Sequence, residues 1–303
     1  MRLCRIHYFR WLPNTDRAYC YLSRVRNTDT AIVFVHGFLG NCVDTWQHFP
    51  TLVDELGDGV SWWATCDLYF WNYPSAEQTI NQSAFQLREF LKRIVPAPHT
   101  QLMSLASGTR PTDQEYIRKP SEYEHLILVG HSLGGVVIRQ SIVDIIKQWE
   151  GEGKPVMSLA GIPTFFGSVL GAELHLFSPA LHGTSFMGLP GIIYEFPATR
   201  WLFELLLKTS SPSYKQLNTP SVSLAALEEA TNGYNLRYGF PALSARIYYA
   251  GDDRIVSDLV YASDPPATYI PDQTHASVCK PCSGYLQPLE LIQRAPFRNA
   301  SAT

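Results

Sequence analysis

The sequence predicts an α/β fold with a mostly parallel central sheet, helices on both faces and a helical cap, and two observations carry that expectation. Short, unbroken apolar runs occur at Ala31–Val35 and Leu126–Val129, the pattern of strands buried on both faces of a parallel sheet. Each run then meets a glycine-rich turn, His36-Gly37-Phe38-Leu39-Gly40 in the first case and Gly130-His131-Ser132-Leu133-Gly134-Gly135 in the second. The chain of 303 residues, 46% hydrophobic and 13% aromatic, has ample material for one large core, and it reads as a single domain with insertions.

The second turn fits G-x-S-x-G, in which a strand bends sharply into a helix and holds a serine in a strained conformation. At Gly130 and Gly134 a side chain would collide with the neighbouring strand or helix. Val136, Val137, Ile138, Ile142, Val143, Ile145, Ile146 and Trp149 then make a helix apolar almost all round, which Gly151 and Pro155 stop. The competing reading is a tight turn whose serine only caps that helix.

Taken in order, residues 1–30 carry Tyr19, Tyr21 and Val25 at roughly alternating positions and are expected to form edge strands. A helix is expected from Trp46 to Leu56 and a strand from Ala64 to Trp71. Ser75 with Gln78 reads as a capping box ahead of an amphipathic helix carrying Ile80, Ala84, Leu87, Leu91 and Ile94. From 96 to 121 the composition turns polar and proline-rich, a surface insertion. Glu173–Phe177 is the next strand. The stretch 185–239, rich in Phe, Leu, Ile and Trp without strand alternation, reads as a cap, with ordinary core helices as the alternative. Arg246–Ala250 is a further strand, and His275 stands at the start of an expected C-terminal helix running through Leu286, Leu289 and Ile292. The tail, 295–303, is expected to be loose.

A net charge of -3 and a pI near 6.3 give no reason to expect nucleic acid or an anionic membrane surface as partner. The basic N-terminus lacks an apolar segment behind it, so no signal peptide is expected, and no run of about 18 apolar residues suggests a transmembrane helix. Six scattered cysteines fit reduced thiols and a cytoplasmic location. Cys279-Lys280-Pro281-Cys282 is a lone C-x-x-C; a zinc site would want a second pair.

Together, Phe34-Val35-His36-Gly37-Phe38, Gly130 to Gly135, and His275 with Cys279-Lys280-Pro281 behind it resemble the α/β-hydrolase superfamily, lipase-like in type. The resemblance is sharpest to the serine active site-containing protein family and the related glycosylphosphatidylinositol deacylases. It implies Ser132 as nucleophile, His275 as base and Asp253 as acid, in the chain order of that fold. The family pattern Asp-x-x-Val selects Asp253, with Asp252 as the alternative register. It also implies backbone N–H donors at Phe38 and Leu133 for the oxyanion, with His36 bracing the loop. Ser178 to Thr184 loosely resembles a Thr-Pro-His-x-Gly-Ser segment of lipase-like hydrolases. The expected activity is cleavage of lipophilic carboxylic esters with no metal or organic cofactor, peripheral lipid contact, and substrate contacts at Phe186 and Trp201 in the cap. An acyltransferase using the same triad and a non-catalytic interaction domain keeping the fold are the alternatives.

Overall fold

The apolar runs become the middle of one sheet in the computed structural model, which describes residues 4–10, 17–22, 30–55, 62–96, 123, 125–153, 164–183, 211–217, 221–253 and 255–293. Its strands are β1 (Cys4–Arg10), β2 (Arg17–Leu22), β3 (Thr30–Val35), β4 (Cys66–Trp71), β5 (His125–His131), β6 (Glu173–Phe177), β7 (Ala245–Ala250) and β8 (Thr268–Ile270). They lie in the order β1-β2-β4-β3-β5-β6-β7-β8. From β4 to β8 every pairing is parallel, while β2 pairs antiparallel with both β1 and β4. The described helices are α1 (Phe49–Glu55), α2 (Ile80–Ile94), α3 (Leu133–Gly151), α4 (Thr164–Leu170), α5 (Pro212–Leu217), α6 (Val222–Tyr238) and α7 (Gln287–Gln293).

Why β3 must be apolar throughout follows from the two cores it divides. Ala31, Val33 and Val35 face a cluster that includes Leu87 and Leu91 of α2 and Ile138 and Ile142 of α3. Ile32 and Phe34 face the other, with Trp46, Phe49, Trp63 and Leu289. The Phe34 ring stacks on Phe70 at 4.5 Å and meets Trp46 edge-on at 5.1 Å. Register places Val35 beside Gly130 and His131 beside Phe177, so the carboxyl ends of β3, β5 and β6 lie abreast. The chain leaves β3 for β4 on one side and returns to β5 on the other. Such a reversal of strand order is where open α/β sheets open a crevice.

Several local expectations move. The helix expected from Trp46 begins at Phe49, because Asn41 accepts the N–H groups of Val43 and Asp44 at 2.8 Å each and holds the preceding segment in turns. A 3-10 turn, Trp62–Thr65, precedes β4, so that strand starts at Cys66. The capping box of α2 is Thr79 with Gln82, not Ser75 with Gln78. Its bonds run from Gln82 N–H to Thr79 Oγ1 at 3.2 Å and from Thr79 N–H to Gln82 Oε1 at 2.9 Å. The C-terminal helix starts at Gln287; residues 275–279 are turns, and Pro281, lacking an N–H, cannot continue them as a helix.

Within the stretch expected as a cap, α6 lies on α3 as an ordinary flanking helix. Leu224 and Leu227 join the core, and Glu150 of α3 accepts bonds from Tyr234 at 3.1 Å, Arg237 at 2.7 Å and Tyr238. All but the first residue of the insertion expected at 96–121, the stretch 184–210 with Phe186 and Trp201, and the tail from 294 lie outside the described residues. A buried ion pair fixes α3 from beneath. Arg139, 1% exposed, binds Asp264 and donates to Leu243 O at 3.1 Å, while Asp264 also accepts Ala245 N–H at 2.8 Å and Tyr261 N–H at 3.2 Å.

Candidate active site

Ser132 sits between β5 and α3 with φ 53° and ψ -123°, a left-handed backbone that a non-glycine residue holds only under strain. The surroundings over-determine it. Its N–H donates to Phe177 O at 3.1 Å, and its carbonyl accepts Gly135 N–H at 3.1 Å and Ala180 N–H at 3.2 Å. Gly134 allows α3 to pass the end of β3, since a Cβ there would lie 2.2 Å from Val35 O. The Ser132 hydroxyl makes no capping bond to its own helix, which removes the reading of this serine as a cap. Leu133 is the first residue of α3, so its N–H has no carbonyl within the helix and points out of the positive helix end.

The loop after β3 comes directly against this serine: a Cβ on Gly37 would lie 2.7 Å from Ser132 Cβ. The loop is held from behind. Gly37 O accepts from His36 Nδ1 at 2.8 Å and from Gly40 N–H at 3.1 Å. His36 Nε2 accepts Tyr73 N–H at 3.3 Å, Tyr73 Oη donates to His36 O at 2.9 Å, and the two rings stack at 4.4 Å. Those bonds assign the proton of His36 to Nδ1. Burial lowers its pKa to about 4, so the ring is neutral. Cys42 N–H donates to Asn72 Oδ1 at 2.9 Å and Leu39 N–H to Ser75 Oγ at 3.0 Å. Ser75 therefore serves this loop, which is why it does not cap α2.

Asp253 and His275 come together beyond the ends of β7 and β8. His275 Nδ1 lies 2.9 Å from Asp253 Oδ2, with the two side chains only 6% and 5% exposed. Asp253 Oδ1 accepts Ile255 N–H at 3.0 Å and Val256 N–H at 3.3 Å, so both oxygens are engaged. Burial works to raise this carboxyl's pKa, but the His275 bond and charge, the Ser178 hydroxyl and the Ile255 N–H outweigh it and hold it below the usual range. Asp252 is exposed, and its N–H donates to Gln273 O at 3.2 Å. Of the two registers, the structure brings Asp253 to the histidine.

Ser178 and His131 had no assigned role in the sequence analysis, and a third residue, Ser75, was expected there only as a helix cap. Ser178, φ 40°, donates its N–H to Tyr248 O at 2.8 Å, accepts Ala250 N–H at 3.2 Å, and hydrogen-bonds the Asp253 carboxylate. His131 is bonded to the main chain of His275, and Ser75 to the Leu39 N–H. Phe38 is partly buried against the core at the turn of its loop. Cys279 is buried, Cys282 is exposed, and both are free thiols; among the described residues no group of three His, Cys, Asp or Glu side chains is placed to hold a metal ion. Among the same residues no helix is long and apolar enough to cross a membrane.

No protein family and no curated protein sequence matches the chain. Solved structures do. A siderophore hydrolase, EstB, from Aspergillus fumigatus superposes with a TM-score of 0.53 at 13% identity, covering 96% of this chain and 95% of its own. A mature lipase from Bacillus licheniformis gives 0.45 at 14% identity, covering 88% and 92%. An α/β-hydrolase from a lagoon-sediment metagenome in Morocco gives 0.44 at 14%, covering 94% and 97%. The fold is the α/β-hydrolase fold.

Proposed function

We propose that the chain is a serine hydrolase that cleaves carboxylic esters through Ser132, His275 and Asp253. The observation that carries this reading is the buried bond between His275 Nδ1 and Asp253 Oδ2 at the same sheet edge as a strained serine with an uncommitted cap position. With Nδ1–H directed at the carboxylate, His275 keeps Nε2 as the basic nitrogen. Nε2 takes the Ser132 proton as Oγ attacks the ester carbonyl, then returns it to the leaving alcohol; water attacks the acyl-enzyme by the same route. Asp253 stabilises the imidazolium that forms at each step.

The oxyanion would be received by the N–H groups of Leu133 and Phe38. In a trans peptide the N–H points opposite to the carbonyl. Gly37 O is drawn back by His36 and Gly40, so the Phe38 N–H is directed away from them, and the nearness of Gly37 to Ser132 supports a role for that N–H beside the nucleophile. A lipophilic substrate is proposed from the composition of the stretch containing Phe186 and Trp201. A fluorophosphonate probe tests the reading: it should label Ser132, located by mass mapping, and Ser132→Ala should abolish both labelling and esterase activity. Labelling at another serine, or none, refutes it.

A further inference from the structure

The residue preceding the proposed nucleophile is bonded to the main chain of the proposed base. His131 ends β5 at 8% exposure, and its Nε2 lies 2.8 Å from the carbonyl oxygen of His275. A carbonyl only accepts, so the proton of His131 is on Nε2. The two rings lie 4.9 Å apart, tilted by 50°.

The need for such a bond follows from where the three residues come from. Ser132 follows β5, Asp253 follows β7, and His275 stands on a turn after β8, at the edge of the sheet. Through the sheet, the His275 turn reaches β5 only by way of β8, β7 and β6, and β8 is three residues long. The Asp253 bond holds one atom of the imidazole. The His131 bond fixes a second point, on the His275 backbone from which that side chain starts, and it originates one residue from Ser132.

We propose that His131 is a positioning residue that sets the separation of His275 Nε2 from Ser132 Oγ by clamping the His275 carbonyl. The proposal rests on the acyl-transfer reading above. The clamp has to survive the turnover, when His275 becomes charged beside it. Burial, and then the neighbouring His275 charge, lower the His131 pKa to about 3, so it stays a neutral Nε2–H donor while its neighbour is an imidazolium. An ordinary buried histidine would need a hydrogen-bond partner, but any partner would serve; this one ties nucleophile to base.

The test compares His131→Gln, whose amide can reach the place of Nε2, with His131→Asn, which is polar but one bond too short. Turnover of p-nitrophenyl butyrate, fluorophosphonate labelling of Ser132 and Tm are measured for each. His131→Asn should lower kcat on the order of 10²-fold, as a misplaced group of about 1 Å does, with KM nearly unchanged and labelling slowed in parallel. His131→Gln should restore most of the loss. In a His275→Ala background the Asn change should cost nothing further, because the clamp acts only through His275. Equal rates for Asn and Gln, a change in KM alone, or an undiminished loss in the His275→Ala background would overturn the proposal. Should His131→Asn not fold, His131→Met, of similar reach and without a donor, takes its place in the same comparison. Wild-type protein that does not label at Ser132 overturns both readings; wild type that labels and turns over, with His131→Asn equally active, overturns the clamp alone.

Discussion

Acidification from pH 6.5 to 5 should remove on the order of 5 kcal/mol of folding stability, and three buried histidines set that figure. His36, His131 and His175 are 0%, 8% and 0% exposed. Burial in each case, reinforced by the His275 charge for His131 and by Arg246 for His175, lowers their pKa values from 6.5 to about 4, 3 and 3. The unfolded chain takes up these protons as the pH passes below 6.5 and the folded chain does not, so stability is fully present above 6.5 and falls with pH. Each histidine contributes a slope of about 1.4 kcal/mol per pH unit once its unfolded form is protonated, about 4 for the three together. Integration from half-protonation at 6.5 gives the figure above, comparable with the whole stability of many domains. Glu173 and Asp144, whose carboxyl pKa values are raised by burial, act in the opposite direction at the lower end of the range. Asp253, with its pKa lowered, adds to the loss only below the ordinary carboxylate range. Urea unfolding followed between about pH 7.5 and 5 reads the slope as a proton count. His175→Gln removes one of the three groups away from Ser132, where Nδ1 meets Tyr248 Oη at 2.9 Å, and should lower the count by about one. A slope in wild type equivalent to less than one proton would refute the reasoning. Activity should be lost with the fold, since two of these rings bond the loop after β3 and the His275 turn.

Three other outcomes are expected. Asp253→Asn should lower ester turnover on the order of 10⁴-fold by presenting the wrong histidine tautomer, while Asp252→Asn leaves it nearly intact; kcat measurements showing the reverse ranking would reassign the acid. Asp264→Ala strands the buried Arg139 cation and should cost about 3–5 kcal/mol in denaturant unfolding, against less than about 1 for removal of the exposed Arg237 partner of Glu150. If the stretch containing Phe186 and Trp201 binds acyl chains, kcat/KM for p-nitrophenyl esters should climb from acetate to octanoate by up to about 0.8 kcal/mol per methylene, and Trp201→Ala should flatten the series; an acetate preference in detergent-free buffer would remove the acyl site.

What the sequence could express depended on how far away each partner lies. A strand buried on both faces needs nothing but its own apolar run to be recognised, so Leu126–Val129 and the core of β3 were readable, and the steric demands of Gly130 and Gly134 marked the elbow from within a few residues. The strand β8 is three residues long with two of them exposed, and gives no such run. Ser75 and Thr79 each stand three residues before a glutamine, so both fit the capping pattern, and nothing local separates them. What does separate them is Leu39 N–H, 36 residues away, which occupies the Ser75 hydroxyl and leaves Thr79 to cap the helix. His131 is the same case at 144 residues: as the variable position of G-x-S-x-G it could be any residue that fits, until its Nε2 is seen on the carbonyl of His275. The residues proposed to carry the chemistry were thus named from short motifs and a family resemblance, while the groups that hold them in place are specified by bonds between loops distant in the chain, which no periodicity encodes.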